Sequence, residues 1–376
     1  MPAGPRGPLP ALDGLRGLAI GGVLACHLLN AWPGAGAWER RAVAALGLGW
    51  TGVDLFFVLS GFLITGGLVD TLGQRGWWRG FLVRRALRIF PLYYLALAVF
   101  AVVGPALGLV DPWTFGRWGW WYWGYLGNWA YAARQVIPAL SHFWSLAVEE
   151  QFYLAWPLVV LLARGRALAA ASAALVCAGP ALRWLIVDSG LPVGSAYRLT
   201  PGRVDALAMG ALVAVVARAP GGAGLLRRAW WPAAAVGAAG FAALGLPHGF
   251  DMHARPLEIW SHLWLALAFG GLVAGAVATE GTLHPLRRAL SAAPLRALGR
   301  YSYGLYVVHY LVHVGALGAL RARPWGAALL ASRAGYAAYA VTALAASLLL
   351  AWASFHLVEQ RFLALKDRLA PRRAAA

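Results

Sequence analysis

Residues 12–27 read LDGLRGLAIGGVLACH, an apolar segment of helical character that is interrupted by Arg16 and His27. Eleven positions on a helix turn through about 1100°, roughly 20° off three full turns, so the two side chains share a face about 16 Å apart. Asp13 precedes Arg16 by three residues, a spacing that allows an ion pair in the bundle or one at the membrane surface. Polar groups inside a lipid-embedded helix are costly, so they indicate a functional site.

The rest of the chain is typical of an integral membrane protein. Of its 376 residues, 61% are hydrophobic and 12% charged, whereas soluble domains contain about 25% charged residues. Apolar runs predict an all-α, polytopic bundle of about ten transmembrane helices in one domain, residues 1–376. The predicted spans lie near 10–31, 44–69, 90–110, 143–163, 168–187, 204–218, 230–247, 259–278, 303–320 and 336–357.

The net charge of +18 is distributed over short loops, which argues against nucleic acid as a partner and for a topology signal. With the N-terminus in the cytoplasm, the inner segments carry 20 basic residues and the outer segments 10. This bias predicts that both termini are cytoplasmic. No internal repeat is evident, which argues against a transporter built from inverted repeats.

The second predicted span begins GVDLFFVLSGFLIT at residue 52 and carries Asp54 near its outer end. A carboxylate there could orient a histidine ring, hold a sugar hydroxyl, or be an ordinary interfacial residue. The loop that enters the third span reads VRRALRIF from residue 83, with Arg85 and Arg88 on one helical face. Guanidinium groups suit phosphate oxygens, so the pair could bind a phosphorylated coenzyme or only anchor the helix at the cytoplasmic surface.

The fourth span begins SHFWSLAVEEQFYLAWP at residue 141 and concentrates chemistry in one helix. His142, Trp144, Glu149, Glu150 and Tyr153 lie within twelve residues. Aromatic rings stack on the C–H faces of sugars, and carboxylates accept hydrogen bonds from hydroxyl groups, so the segment predicts a carbohydrate site. The alternative is an aromatic belt at the membrane interface. The ninth span contributes His309 from the run YSYGLYVVH, and no metal-site pattern accompanies it.

Taken in order, these segments resemble the membrane-bound acyltransferase-3 family of bacterial enzymes that acylate sugars and related hydroxyl acceptors. The resemblance rests on the Arg16-to-His27 spacing, Asp54 with the run FFVLSGF, RALR at 85–88, HFWSLAVEEQFY at 142–153, RVDAL at 203–207, and SYGLYVVH at 302–309. It extends nearly end to end, from residue 12 to about 359, and is closest to the stand-alone form of the family.

The resemblance implies a cytosolic acyl-coenzyme A donor, often acetyl-CoA, and residence in the bacterial cytoplasmic membrane. It also implies that Arg16 and His27 are the catalytic pair and that Arg85 and Arg88 bind the donor. From the residue pattern we expect no metal.

We therefore expect O-acyl transfer to a hydroxyl of a carbohydrate or glycosylated acceptor, with His27 as general base. Asp54 or Glu149 would fix its tautomer, and Arg16 would hold the donor or stabilise the oxyanion. Other polar and aromatic side chains are candidates for substrate binding: Asp13, His142, Trp144, Glu150, Tyr153 and His309. An acyl-His27 intermediate, a transporter or flippase for an anionic or lipid-linked substrate, and a non-catalytic partner of glycan export remain alternatives.

Overall fold

The computed structural model describes residues 9–29, 32 and 36–369, and in this part of the chain every regular element is a helix. The α-helices, in chain order, are α1 Pro10–Leu29, α2 Ala37–Gly47, α3 Gly52–Thr71, α4 Trp77–Ala106, α5 Pro112–Trp118, α6 Trp120–Trp123, α7 Gly127–Ala132, α8 Trp144–Leu162, α9 Arg166–Asp188, α10 Ser195–Arg198, α11 Val204–Val216, α12 Gly222–Gly245, α13 Arg255–Ala278, α14 Pro285–Leu290, α15 Ala293–Arg321, α16 Pro324–Ala331, α17 Arg333–Ser354 and α18 Gln360–Leu369. Helices satisfy their own backbone groups, as lipid requires. The prediction of an all-α polytopic bundle is confirmed.

Nine helical segments within the described residues are long and apolar enough to cross a membrane, against ten predicted spans. They are Pro10–Leu29, Ala37–Thr71, Trp77–Ala106, Pro138–Leu162, Arg166–Asp188, Gly222–His248, Arg255–Ala278, Ala293–Arg321 and Arg333–Leu365. The predicted span at 204–218 corresponds to α11, which has only 13 residues. It is about 20 Å long, short of the roughly 30 Å of a hydrocarbon core.

The short helix α11 packs against α3, and an ion pair joins the two helices at each end. At one end, Arg203 Nη2 lies 2.6 Å from Asp54 Oδ1, and both side chains are fully buried. At the other end, Arg218 donates from Nε and Nη2 to the two carboxylate oxygens of Asp70, both at 2.7 Å. The two pairs fix α11 inside the bundle, where its length need not match the bilayer.

Helices α1 and α15 lie side by side and approach closely through glycine. A Cβ atom on Gly17 would collide with the carbonyl group of Leu295, and one on Gly299 with the carbonyl group of Asp13. Small residues allow helices in lipid to approach to backbone contact. This contact sets the register between α1 and α15, on which the site depends.

Two helices extend well beyond the apolar runs that predicted them. The run at 90–110 belongs to α4, which begins at Trp77, and the run at 303–320 belongs to α15, which begins at Ala293. A run of apolar residues identifies only the part of a helix that lies in lipid, so it does not include the polar part that continues beyond the lipid. These continuations carry Arg85, Arg88, Arg296 and Arg300. Between α4 and α8, residues 113–141 form short helices and turns and include no helix of membrane-crossing length.

Candidate active site

Three cavities follow one another along α1 and α15. The first, of 280 Å³, is lined by Arg16, Arg88, Arg296 and Arg300 among others, and we name it the arginine vestibule. The second, of 90 Å³, shares Arg16 and Arg88 with the vestibule, and we name it the middle cavity.

The third cavity, of 540 Å³, shares Val53 and Tyr306 with the middle cavity. His27 and His142 line it, and we name it the histidine chamber. Shared walls place the three cavities in series. Arg16 and His27 therefore serve different cavities at the two ends of the row.

The arginine vestibule carries a net positive charge. Its lining has four guanidinium groups and two carboxylates, those of Asp13 and Glu359, so the formal charge is 4 − 2 = +2. Arg16 Nη1 lies 3.2 Å from Asp13 Oδ1, the contact that the spacing of three residues predicts. The guanidinium of Arg300 lies 4.9 Å from the ring centroid of Phe355. Such a surface suits a ligand with several anionic oxygens.

In the middle cavity, hydrogen bonds already occupy both oxygens of Glu149. Ser60 Oγ donates to Glu149 Oε1 at 2.7 Å, and the Tyr153 hydroxyl donates to Oε2 at 2.9 Å. The guanidinium of Arg85 lies 5.5 Å from the Tyr153 ring centroid. Glu149 thus organises the hydroxyl groups of this wall and lies apart from the histidines.

The imidazole of His27 is oriented by a second histidine. His309 Nδ1 lies 2.9 Å from the carbonyl oxygens of both Leu305 and Tyr306. Carbonyl oxygens only accept, so His309 Nδ1 carries the proton and its Nε2 is an acceptor in the neutral ring. His27 Nδ1 lies 2.9 Å from that Nε2 and must therefore be the donor. The remaining nitrogen of His27, Nε2, is left with a free lone pair, the state that a general base needs.

A third histidine offers an acceptor in the same chamber. His142 Nε2 lies 3.2 Å from the carbonyl oxygen of Val307, so this nitrogen is the donor and Nδ1 the acceptor. Nδ1 is buried and has no hydrogen-bond partner among the described residues. Buried polar atoms rarely lack a partner, so this nitrogen is a candidate acceptor for a hydrogen bond from a ligand.

Aromatic side chains make up much of the rest of the chamber. Trp144 packs against Tyr197 with ring centroids 4.7 Å apart, and Trp50 meets Tyr197 edge to face at 5.8 Å. All three rings line the chamber, together with Tyr310, whose ring centroid is 4.9 Å from that of His27. Rings of this kind offer stacking faces to the C–H groups of a sugar.

The sequence profile of a family described as an acyltransferase domain matches residues 9–353. The chain belongs to the acyltransferase-3 family. The predicted family and the predicted class of enzyme, an acyltransferase, are therefore confirmed.

Two curated relatives illustrate the similarity. A Bacillus subtilis (strain 168) protein named "Putative peptidoglycan O-acetyltransferase YrhL" is 29% identical over 344 residues, which cover 81% of this chain and 49% of that protein. "O-acetyltransferase OatA" of Staphylococcus aureus (strain NCTC 8325 / PS 47) is 28% identical over 339 residues, covering 81% and 51%. The chain thus spans about half the length of these relatives. No solved structure matches the chain.

Of the residues that the acyltransferase-3 motifs nominate, the structure brings most to the row of cavities. Arg16, Arg85, Arg88, Glu149 and Tyr153 line the middle cavity. His27, His142 and Trp144 line the chamber, Asp13 lines the vestibule, and His309 is bonded to His27.

Two expected contacts are not formed. Asp54 accepts a hydrogen bond from Arg203 and lies 3.1 Å from His262 Nδ1, so it does not orient His27. The rings of Trp50 and Tyr197 pack against the ring of His262 and separate this cluster from the chamber. Glu149 does not orient His27 either, because its oxygens bond Ser60 and Tyr153.

Glu150, expected to bind substrate, is absent from the described linings of all three cavities and lies buried in the bundle. It is the neighbour of Glu149 on α8, and adjacent helical positions face about 100° apart.

Sequence reasoning missed Arg296 and Arg300 as site residues. They precede the ninth apolar run and are typical of charges in an inner loop. Their separation of four residues, which places both on one face of a helix, was a signal that could have nominated them.

Proposed function

We propose that the protein transfers an acyl group, acetyl in particular, from acyl-CoA to a hydroxyl of a carbohydrate acceptor. The donor phosphates bind in the arginine vestibule and the thioester reaches through the middle cavity. The acceptor occupies the histidine chamber, where its hydroxyl meets His27. The observation that carries this proposal is the hydrogen-bond chain from the Leu305 and Tyr306 carbonyls through His309 to His27.

The reaction follows from that chain. The acceptor hydroxyl gives its proton to His27 Nε2 as its oxygen attacks the thioester carbonyl carbon. The new C–O bond forms, the C–S bond breaks, and the imidazolium returns the proton to the departing thiolate. His309 is a positioning residue in this scheme, because it holds the His27 tautomer and does not touch the substrate. The free Nδ1 of His142 accepts a hydrogen bond from a second hydroxyl of the sugar.

The vestibule faces the cytosol in this proposal. Four arginines line this cavity, and the positive-inside rule favours basic residues on the cytoplasmic face. Asp13 and Leu363, from near the two ends of the described chain, both line the vestibule, which supports two cytoplasmic termini. The membrane would be the cytoplasmic membrane of a bacterium.

The acceptor class rests on the chamber and on the relatives. Stacking faces and a free imidazole acceptor suit a polyhydroxylated ring, and one relative is named for peptidoglycan, a glycan. The same row of cavities would also suit a flippase that moves an anionic substrate. A carrier of that kind does not need a histidine held in one tautomer as a base, so the state of His27 favours the acyltransferase.

Purified protein in lipid nanodiscs, supplied with acetyl-CoA and soluble peptidoglycan oligosaccharides, tests the proposal. We expect release of free coenzyme A that depends on the acceptor, with an acetyl ester on the sugar detected by mass spectrometry. Donor binding without thiol release in the presence of any glycan acceptor would contradict acyl transfer.

A further inference from the structure

Two side chains form the boundary between the middle cavity and the histidine chamber. Val53 and Tyr306 line both cavities, and each is 6% exposed. In the proposed function, an acyl group that moves from the donor side to His27 passes these two side chains. The two side chains are therefore placed to affect which acyl groups reach His27.

The tyrosine side of the boundary is held in place by hydrogen bonds. The Tyr306 hydroxyl donates to the carbonyl oxygen of His142 at 3.0 Å, and Ser145 Oγ lies 2.6 Å from the same hydroxyl. The Tyr306 ring also packs edge-on against Phe56, with centroids 6.2 Å apart. Moving this ring would break both hydrogen bonds inside the bundle, where each lost bond is costly.

The valine side is equally fixed. Val53 is the second residue of α3, and at the preceding Gly52 a Cβ atom would collide with the carbonyl group of Ala19 in α1. The backbone therefore cannot shift toward α1. A β-branched side chain has little rotamer freedom on a helix, so the valine methyl groups stay where they are.

We propose that Val53 and Tyr306 act as a filter that selects the transferred acyl group by its width. A linear acyl chain is one carbon wide at every position, whereas an α-branched chain carries two methyl groups beside the carbonyl. The fixed walls admit acetyl and short linear groups and exclude isobutyryl. The inference rests on the proposed function and adds a specificity determinant to it. The chemistry is unchanged: the thioester C–S bond breaks, the ester C–O bond forms, and the hydroxyl proton passes through His27 to the thiolate.

The test compares acetyl-, butyryl- and isobutyryl-CoA as donors for wild-type protein, Val53→Ala and Val53→Ile in nanodiscs. Butyryl and isobutyryl have the same atoms, so their comparison isolates branching from size. Val53→Ala should raise the ratio of kcat/KM for isobutyryl to that for acetyl about tenfold or more, because one methyl group in a close-fitting site changes discrimination by about 10–200-fold. The butyryl ratio should change by less than about threefold, and Val53→Ile should lower the isobutyryl ratio further.

Val58→Ala is the matched control, because Val58 is a fully buried valine on the same helix. Its backbone lies against Gly210 of α11, away from the cavities. This variant should leave both ratios, isobutyryl to acetyl and butyryl to acetyl, at the wild-type values. If Val53→Ala does not accumulate in the membrane, Val53→Ile is the test: a lower isobutyryl ratio supports the filter, and an unchanged or higher ratio contradicts it.

The outcomes separate the two proposals. Acetyl transfer by the wild type with unchanged donor ratios in the Val53 variants would overturn the filter and leave the proposed function intact. A butyryl ratio that rises as much as the isobutyryl ratio would also overturn selection by width. No transfer from any donor would overturn the proposed function, and the filter with it.

Discussion

At one end of the site, α1, α4 and α15 present guanidinium groups. At the other end, α1, α15 and the turn before α8 present imidazoles. The vestibule has four arginines around one cavity, whereas the chamber relies on one base whose tautomer is set by one neighbour. Each arginine that contacts the same anionic ligand adds its own contribution to binding, so losing one arginine weakens binding only in part. In the hydrogen-bond relay from the Leu305 and Tyr306 carbonyls through His309 to His27, each bond depends on the one before it, so losing one member impairs the base.

The largest expected effect is at the base itself. His27→Ala should lower kcat by about 10²–10⁴-fold, the usual contribution of general base catalysis, because the variant lacks the nitrogen that takes the proton of the reacting hydroxyl. Donor binding should persist, since the vestibule is at the other end of α1. The measurement is acetyl-ester formation at matched protein levels in nanodiscs. Activity within threefold of the wild type would remove His27 from the mechanism.

The buried ion pairs of α3 and α11 extend the comparison to stability. Asp54→Asn leaves the fully buried Arg203 without its counter-charge, which typically costs about 3–5 kcal/mol. Asp70→Asn removes the partner of Arg218, but 44% of the Asp70 side chain is exposed and solvent screens the charge, so the cost should be about 1 kcal/mol or less. Thermal unfolding in one detergent compares the variants. Equal losses of stability in the two variants would contradict the difference in burial between the two ends of the contact between α3 and α11.

The relay predicts different results for two substitutions of the same residue. His309→Phe removes the acceptor for His27 Nδ1 and should lower kcat about 10²-fold, as misplacement of a reacting group by about 1 Å can do. His309→Gln retains a side-chain oxygen that can accept from His27 and should recover at least part of the loss. The donor KM should change little in both. Equal activity of the two variants would assign His309 a packing role.

The smallest of these effects is expected in the vestibule. Arg296→Ala combined with Arg300→Ala should raise the donor KM about tenfold and leave kcat nearly unchanged, because both side chains are exposed and an exposed charge contact contributes about 0.2–1 kcal/mol. Arg227→Ala combined with Arg228→Ala is the matched control, since both are exposed on α12, and the lining that the described residues give the vestibule includes none from α12. A KM change of the same size in the control would reduce the effect to general surface charge.

The sequence alone determined the chemistry on single helices and the class of fold. Hydropathy identifies the membrane helices because lipid penalises polar groups strongly, and the spacing of Asp13, Arg16 and His27 fixes their order along α1 because helical geometry is local. The motifs also determined the family. Nothing in the sequence joined His27 to His309, which are 282 residues apart, or sent Asp54 to Arg203 and His262.

Only the tertiary structure decided those partners, because they depend on the register between helices, which close backbone contacts such as that of Gly17 and Leu295 set. The full vestibule also required the structure. Arg296 and Arg300 resemble ordinary loop charges until α15 is seen to continue past the apolar run and bring them beside Arg16 and Arg88. Side-chain type and local spacing are properties of one helix, whereas a site between helices is a property of their packing.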